Sequence, residues 1–386
     1  MKIKAHKLLD ENFGDRWSQE VEDKWEYQDF LDDPAFREGW ISFDCAYYNP
    51  DDHRIYLGIT CFNSDRIFKA FDLTTNEFVD LGYSKIAHPQ DAKFHRALNK
   101  WEKDNCLYAA VALLHDINLY WDAPGGAIVK YDPKTGDIRK IATPLPHHYI
   151  QSTCIDQERG VLYGQTFTPE RMIKFDLNTY ESEDLGPISS GMDMAQGENI
   201  ELDDEGCVWC GWTVTRAWQP GSGPDRYRLC KYDPNQNRII YYDGGLEKVD
   251  GSYGYEKVDG IFNLGAGRMF CSGANGSIYR LDTTTGMGTY LFTPIKDRRS
   301  RLSSLRLGYD GYAYGIVGRD GDCEILRFDP ENETYELLGK LTDGVDHAFQ
   351  VHDVAITPDG TLFACENDNP FRSSYLWEIT FDKMLA

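Results

Sequence analysis

Nine histidines are spread along this chain of 386 residues, and seven of them stand where they could act together. His88 and His95 flank one short apolar run. His115 follows His95 by twenty residues, His147 and His148 are adjacent, and His347 and His352 bracket another run. Imidazole exchanges a proton near neutral pH. It is also the commonest ligand for a borderline divalent ion. The seven therefore point to proton transfer at a reacting carbon or to a metal centre. His6 and His53 fall in a terminal strand and a turn, and read as solvated.

Other polar and aromatic groups accompany them. Tyr149 follows the His147–His148 pair. Gln165 and Thr166 close a strand at the place matching His115, and Arg171 opens the next one. Trp212, Arg216 and Trp218 occupy the corresponding loop further on. Tyr253, Tyr255, Arg298, Arg299 and Arg301 precede two later strands. Rings stack on a pyranose and a guanidinium holds a carboxylate bidentately, so the set suits a sugar that carries an acid. The same Trp and Tyr residues also suit packing between sheets.

His347, Gln350 and His352 are the candidate metal ligands. The two histidines lie at an odd offset, so on one regular strand they face opposite ways. Glu198, Asn199 and Asp259 are a less specific set for Ca²⁺. Cys207-Val-Trp-Cys210 has the spacing of half a zinc site, but no second pair follows. It reads as strand.

What could bring these residues together is a repeat. An aromatic or apolar residue followed by Asp closes a short apolar run at Asp72, Asp132, Asp176, Asp233, Asp282, Asp329 and Asp382. The spacings are 60, 44, 57, 49, 47 and 53 residues. Upstream of each lies another run after a turn: RIYLGIT, CLYAAVA, VLYGQTF, CVWCGWT, RMFCSGA, YAYGIVG and TLFACEN. After the first six Asp residues comes a polar turn and a fourth short strand. Four strands per repeat predict an all-β fold, a seven-bladed β-propeller of four-stranded antiparallel blades. The blades fall at about 40–83, 88–144, 147–187, 196–244, 255–294, 301–340 and 347–382, in one domain over 1–386. The last repeat lacks a fourth strand, and the alternating segment 2–8 is expected to supply it. Residues 10–39 read as a crossover over one face. The repeating Asp is a turn device, because its carboxylate accepts backbone N–H groups. In such a ring, the starts of the innermost strands and the second-to-third-strand loops converge on one funnel.

Forty basic and 63 acidic side chains give a net charge of −23, which excludes a nucleic-acid binder and a binder of anionic lipid. A few local Arg and His residues can still reverse the field inside one cleft. No stretch approaches the ~20 apolar residues of a membrane span. The N-terminus lacks the apolar run of a signal peptide. The ten cysteines therefore read as reduced, buried thiols of a cytoplasmic protein.

Lys93-Phe94-His95, Leu107-Tyr108-Ala109-Ala110, His115, Pro124-Gly125-Gly126 and the run Val129 to Gly136 together resemble blade 2 of the seven-bladed propeller lyases that cut ulvan. Pro146-His147, Arg159 to Gly164 and Phe175-Asp176-Leu177 resemble their blade 3. The resemblance covers about residues 85–190, and related rhamnosyl-glucuronate lyases and hydrolases share it. It implies β-elimination on a uronic acid, with His95 and His115 at the active site, Tyr149 as acid/base and an Arg on the carboxylate. The family's Arg is replaced here by Gln165-Thr166, which leaves Arg171 or Arg301 as the clamp. The expected partner is an acidic oligosaccharide, bound also by His148, Gln165, Trp212, Tyr255 and Arg301. No cofactor is required on this reading. A metal-dependent lyase or hydrolase holding a divalent ion is the second expectation, and a non-catalytic interaction scaffold is the third.

Overall fold

The computed structural model describes residues 1–14, 32–112, 119–167, 169–189, 197, 199–213, 227–249, 257–296 and 299–381. Its first strand is β1 (Lys2–His6), and a short helix α1 spans Pro34–Gly39. Asp33 caps this helix by accepting the N–H of Ala35, and Pro34 suits its first turn. None of the described helices is long and apolar enough to cross a membrane.

Successive antiparallel meanders of four strands make up the rest. The first is β2 (Ser42–Asn49), β3 (Arg54–Thr60), β4 (Phe68–Asp72) and β5 (Glu77–Asp80). The second is β6 (Lys93–Trp101), β7 (Cys106–Ala112), β8 (Ile128–Asp132) and β9 (Asp137–Ala142). The third is β10 (Tyr149–Asp156), β11 (Val161–Phe167), β12 (Arg171–Asp176) and β13 (Ser182–Pro187). The fourth is β14 (Glu201–Leu202), β15 (Val208–Thr213), β16 (Tyr227–Asp233) and β17 (Arg238–Tyr241). The fifth is β18 (Gly260–Asn263), β19 (Met269–Ser272), β20 (Ile278–Asp282) and β21 (Met287–Phe292). The sixth is β22 (Leu305–Leu307), β23 (Ala313–Val317), β24 (Glu324–Asp329) and β25 (Thr334–Lys340). The last meander is β26 (Val351–Ile356), β27 (Leu362–Glu366) and β28 (Leu376–Thr380), with β1 as its fourth strand. Lys2 to His6 pair with Thr380 to Leu376 in register. The first three meanders are joined into one sheet by the single pairs Thr60↔Lys93 and Ser152↔Arg96.

The apolar runs become strands buried on both faces. Every residue of β7 is buried, whereas the fourth strands β5 and β25 are mostly half-buried or exposed. A strand covered by neighbours on both sides has no solvent face, so its sequence does not alternate. The core lies between meanders. Tyr108 packs with Phe175, Tyr163 with Tyr232, and Phe270 with Phe328. One cluster joins Phe71 and Leu57 of the first meander to Phe94 of the second and to Phe363 and Leu376 of the last.

The repeating Asp does what its position predicts. Asp72, Asp132, Asp176, Asp233, Asp282 and Asp329 each accept the backbone N–H groups two and three residues on. The residue four positions on takes a left-handed conformation in all six turns, from φ 50° at Asn237 to φ 72° at Gly136. Asp382 lies outside the described residues.

Of the crossover over 10–39, residues 15–31 lie outside the described residues. Its flanks dock on the last meander. The N–H of Phe13 donates to the Phe371 carbonyl, and Trp40 Nε1 donates to the Asn369 carbonyl. All ten cysteines are free and buried. Cys210 faces Cys230 across β15 and β16, with sulfurs 3.2 Å apart, and not Cys207.

Candidate functional site

The first strands of the meanders converge, and side chains bond from one to the next. Lys93 Nζ stands 3.5 Å from Asp44, and the His95 ring bonds the Gln151 carbonyl. Ser152 Oγ accepts the Ile200 N–H, and the Asn199 side chain bonds both backbone groups of Ile261. Arg301 Nε donates to Asp259 at 3.2 Å, and Ser304 Oγ to Asp353 at 2.7 Å. His352 Nδ1 meets the Asp44 carbonyl at 2.9 Å, from the last meander back to the first.

At the starts of these strands lies a cavity of about 510 Å³. Asp44, His95, Gln151, Gln350 and His352 line it from the strand starts, with Asp259 and Arg301 just before theirs. Arg319, Asn367 and Asp368 enter from second-to-third-strand loops. These are the funnel positions that the repeat predicts. Further along the same strands, Arg96, Glu201, Arg306 and Asp353 line a smaller cavity of about 70 Å³. There Arg96 Nη1 donates to the carbonyls of Ser303 and His352 and ties three meanders at the centre.

Four of the cavity residues are aimed by irregular backbone. The β2–β3 register slips between Phe43 and Cys45, which isolates Asp44. It slips between Phe94 and Leu98 around His95, at Gln151 in β10, and at His352 in β26. A bulge inserts an unpaired residue and re-aims its side chain. This is how Asp44, inside the apolar run ISFDCAYY, turns to the polar cavity.

The His95 and His352 rings meet edge to face, with centroids 4.4 Å apart. Each Nδ1 faces a backbone carbonyl, Gln151 at 3.0 Å and Asp44 at 2.9 Å. A carbonyl only accepts, so each Nδ1 carries a proton and the neutral ring keeps its lone pair on Nε2. Asp44 is 1% exposed. Burial pushes its carboxyl above the usual carboxylate range, while Lys93 and His352 pull it back. The side-chain amide oxygens of Gln151, Gln350 and Asn367 are buried without a hydrogen-bond partner among the described residues.

Of the expected site residues, His95, Arg301, Gln350 and His352 are brought to this cavity. His115 and Tyr255 lie outside the described residues, as do Arg216, Trp218 and Glu198. Tyr149 does not line the cavity. It packs with Ala92 and Ala123, its hydroxyl accepts the Gly125 N–H, and burial pushes it up to about 12. Arg171 is paired with Asp184 at 2.8 Å, and His148 Nδ1 bonds the Pro146 carbonyl. Trp212 donates to the Tyr242 carbonyl, with Tyr241 against its ring. Gln165 is buried in β11 with neither carboxamide atom bonded among the described residues. The expected trio of His347, Gln350 and His352 does not assemble. His347 is exposed at the Thr342 bridge, and the imidazole beside His352 is His95 from another meander. Asp44, Gln151 and Arg319 also line the cavity, and the spacing of the repeat does not point to them. A charged or amide residue inside an apolar first strand was the available signal for Asp44 and Gln151.

No protein-family model and no curated protein matches the chain. Solved structures match its fold. The WD40 repeats of RRP9 superpose with a TM-score of 0.57 at 10% identity, covering 98% of this chain and 99% of theirs. A mitotic checkpoint complex chain gives 0.56 at 11% identity, covering 88% and 87%. The extracellular domain of a hybrid two-component system from B. thetaiotaomicron gives 0.57 at 9% identity, covering 89% of this chain and 40% of that one. At these identities the likeness shows the β-propeller fold. It does not reach the ulvan-lyase type in particular.

Proposed function

We propose that the meanders close as a seven-bladed propeller, and that its cavity takes the uronate of an acidic oligosaccharide and cleaves there by β-elimination. One observation carries this reading. A chain of net charge −23 gathers four cations, Lys93, Lys257, Arg301 and Arg319, against three carboxylates, Asp44, Asp259 and Asp368, around one polar cavity. That small local excess of positive charge favours an anion against the field of the whole molecule. The side-chain amide oxygens of Gln151, Gln350 and Asn367, without a partner among the described residues, suit sugar hydroxyls.

In the reaction the proton on C5 leaves to a base and its electron pair forms the C4–C5 double bond. The C4–oxygen bond breaks, and the departing oxygen takes up a proton. The enolate-like state needs its carboxylate neutralised. Arg301 is the clamp, held in place by Asp259. His95 and His352 stand around the carboxylate and the reacting carbon, and His115 keeps the active-site role that the resemblance implies. Tyr149 and Arg171 are given no role in this reading, since neither lines the cavity. The ten buried free thiols support a reducing, cytoplasmic setting.

The test is a panel of uronate oligosaccharides followed by the ultraviolet absorbance of the unsaturated product. The absorbance should rise, and His95→Ala should cut kcat/KM by at least ~100-fold. New reducing ends without absorbance would mean hydrolysis. Neither product, with no heat of binding for any sugar, would discard the enzyme and leave an interaction scaffold.

A further inference from the structure

We propose that Asp44, His95 and His352 hold one divalent transition-metal ion. This deepens the cavity reading above but rests on its own geometry. One donor atom from each residue can be chosen so that all lie within 4.8 Å of one another. A bound ion sits about 2.0–2.2 Å from imidazole nitrogen and carboxylate oxygen, so modest side-chain rotation closes the set. The three side chains are 1%, 4% and 2% exposed, and each sits where its strand's register slips.

The surroundings fit a ligating role. Both rings turn Nδ1 to a backbone carbonyl, which fixes the tautomer and puts the lone pair on Nε2; on His95 that Nε2 meets Gln151 Nε2 at 3.4 Å, a contact the ion would replace. An independent observation points the same way. The side-chain oxygens of Gln151 and Gln350, both nine-tenths buried or more, line the same cavity with no hydrogen-bond partner among the described residues. They are placed to accept from water bound to the ion. Lys93, 3.5 Å from the Asp44 carboxylate, is the cation that the ion would displace there.

Two imidazoles and one carboxylate suit Zn²⁺, Mn²⁺ or Fe²⁺ rather than Ca²⁺, which prefers six or more oxygens. Three protein ligands leave open positions on the ion. Those positions are where the carboxylate of a uronate would bind.

The experiment uses the full chain purified without an affinity tag, stripped with a chelator, and titrated calorimetrically with Zn²⁺, Mn²⁺ and Co²⁺ separately. One ion per chain is expected. Asp44→Asn and His352→Ala should each weaken binding by at least ~10-fold. His347→Ala, on an exposed residue outside the cluster, should change nothing. No uptake of any of the three ions overturns the proposal, as does equal uptake in both ligand variants. Should a variant not fold, the visible spectrum of the Co²⁺-loaded native chain decides. Intense bands of a low-symmetry nitrogen-ligated site are expected, and the weak spectrum of aqueous Co²⁺ overturns the proposal. None of these readouts needs a sugar. Cleavage without metal uptake removes only the metal site, and metal uptake without cleavage removes only the elimination.

Discussion

Glu366 shows how a single buried charge can set the shape of the cavity. It is fully buried and accepts from both Nη atoms of Arg372, at 2.9 and 3.0 Å. It also accepts the backbone N–H groups of Phe349 and Tyr375, Asn369 Nδ2 and Trp377 Nε1. Asn367 and Asp368, the next two residues, line the cavity. Removing one partner of a buried ion pair strands the other charge. Glu366→Ala is expected to cost about 3–5 kcal/mol in urea unfolding, whereas exposed substitutions such as Val345→Ala stay near neutral. Ligand binding should weaken in the same variant, since the loop that follows loses its anchor.

At the scale of elements, the recurring Asp turn and the bulge divide the work. The turn fixes where the third strand ends and the fourth begins. Asp329→Ala leaves the N–H groups of Glu331 and Asn332 without their acceptor and should cost about 1 kcal/mol, read as a lower thermal midpoint. The six turn aspartates also set a pH dependence. In Asp72, Asp132, Asp176 and Asp233 slight burial pushes the carboxyl up, but hydrogen bonds outweigh it and hold it below the usual range. In Asp282 and Asp329 hydrogen bonds are the leading cause of the same lowering. A lowered folded value stabilises above the unfolded carboxylate value of about 3.9 and is lost as pH falls through the folded one. Asp44 and Glu201, raised by burial, act oppositely, losing stability as pH rises through their folded values. The six outnumber the two. The midpoint should therefore fall below about pH 4 with net proton uptake on unfolding, and a midpoint that rises there would refute this balance. The bulge, by contrast, contributes little to the ladder and points a side chain out of it.

For the whole molecule, the decisive contacts join the first meander to the last. His352 bonds the Asp44 carbonyl, the Ala46 N–H donates to Asp353, and Ser42 Oγ accepts the Asp368 N–H. The strand β1 completes the last meander on its outer edge, with five paired residues and His6 bonded to Glu378 at 2.7 Å. Deleting residues 1–8 bares the edge of β28. A midpoint lowered by roughly 5 °C or more is expected, with association of the exposed edges seen by light scattering. An unchanged midpoint and a monomeric chain would count against this role for β1.

The strands, the turns and the strand supplied from the N-terminus are legible in short stretches of the chain. These follow from local chemistry: RIYLGIT, CLYAAVA and VLYGQTF coincide with β3, β7 and β11, and the turn Asp bonds neighbours two and three residues away. The repeat also places His95, Arg301, Gln350 and His352 at the funnel, because it fixes which end of each strand faces inward. Which of them meet depends on how the sheets pack. The partner of His352 is His95, not His347, and the carboxylate beside it, 3.6 Å from Nδ1, is that of Asp44, 308 residues away. Strand parity could not give this, since a slipped register breaks the alternation on which parity rests. Contact across such a distance is set by how the sheets pack together, a property no short window of residues carries.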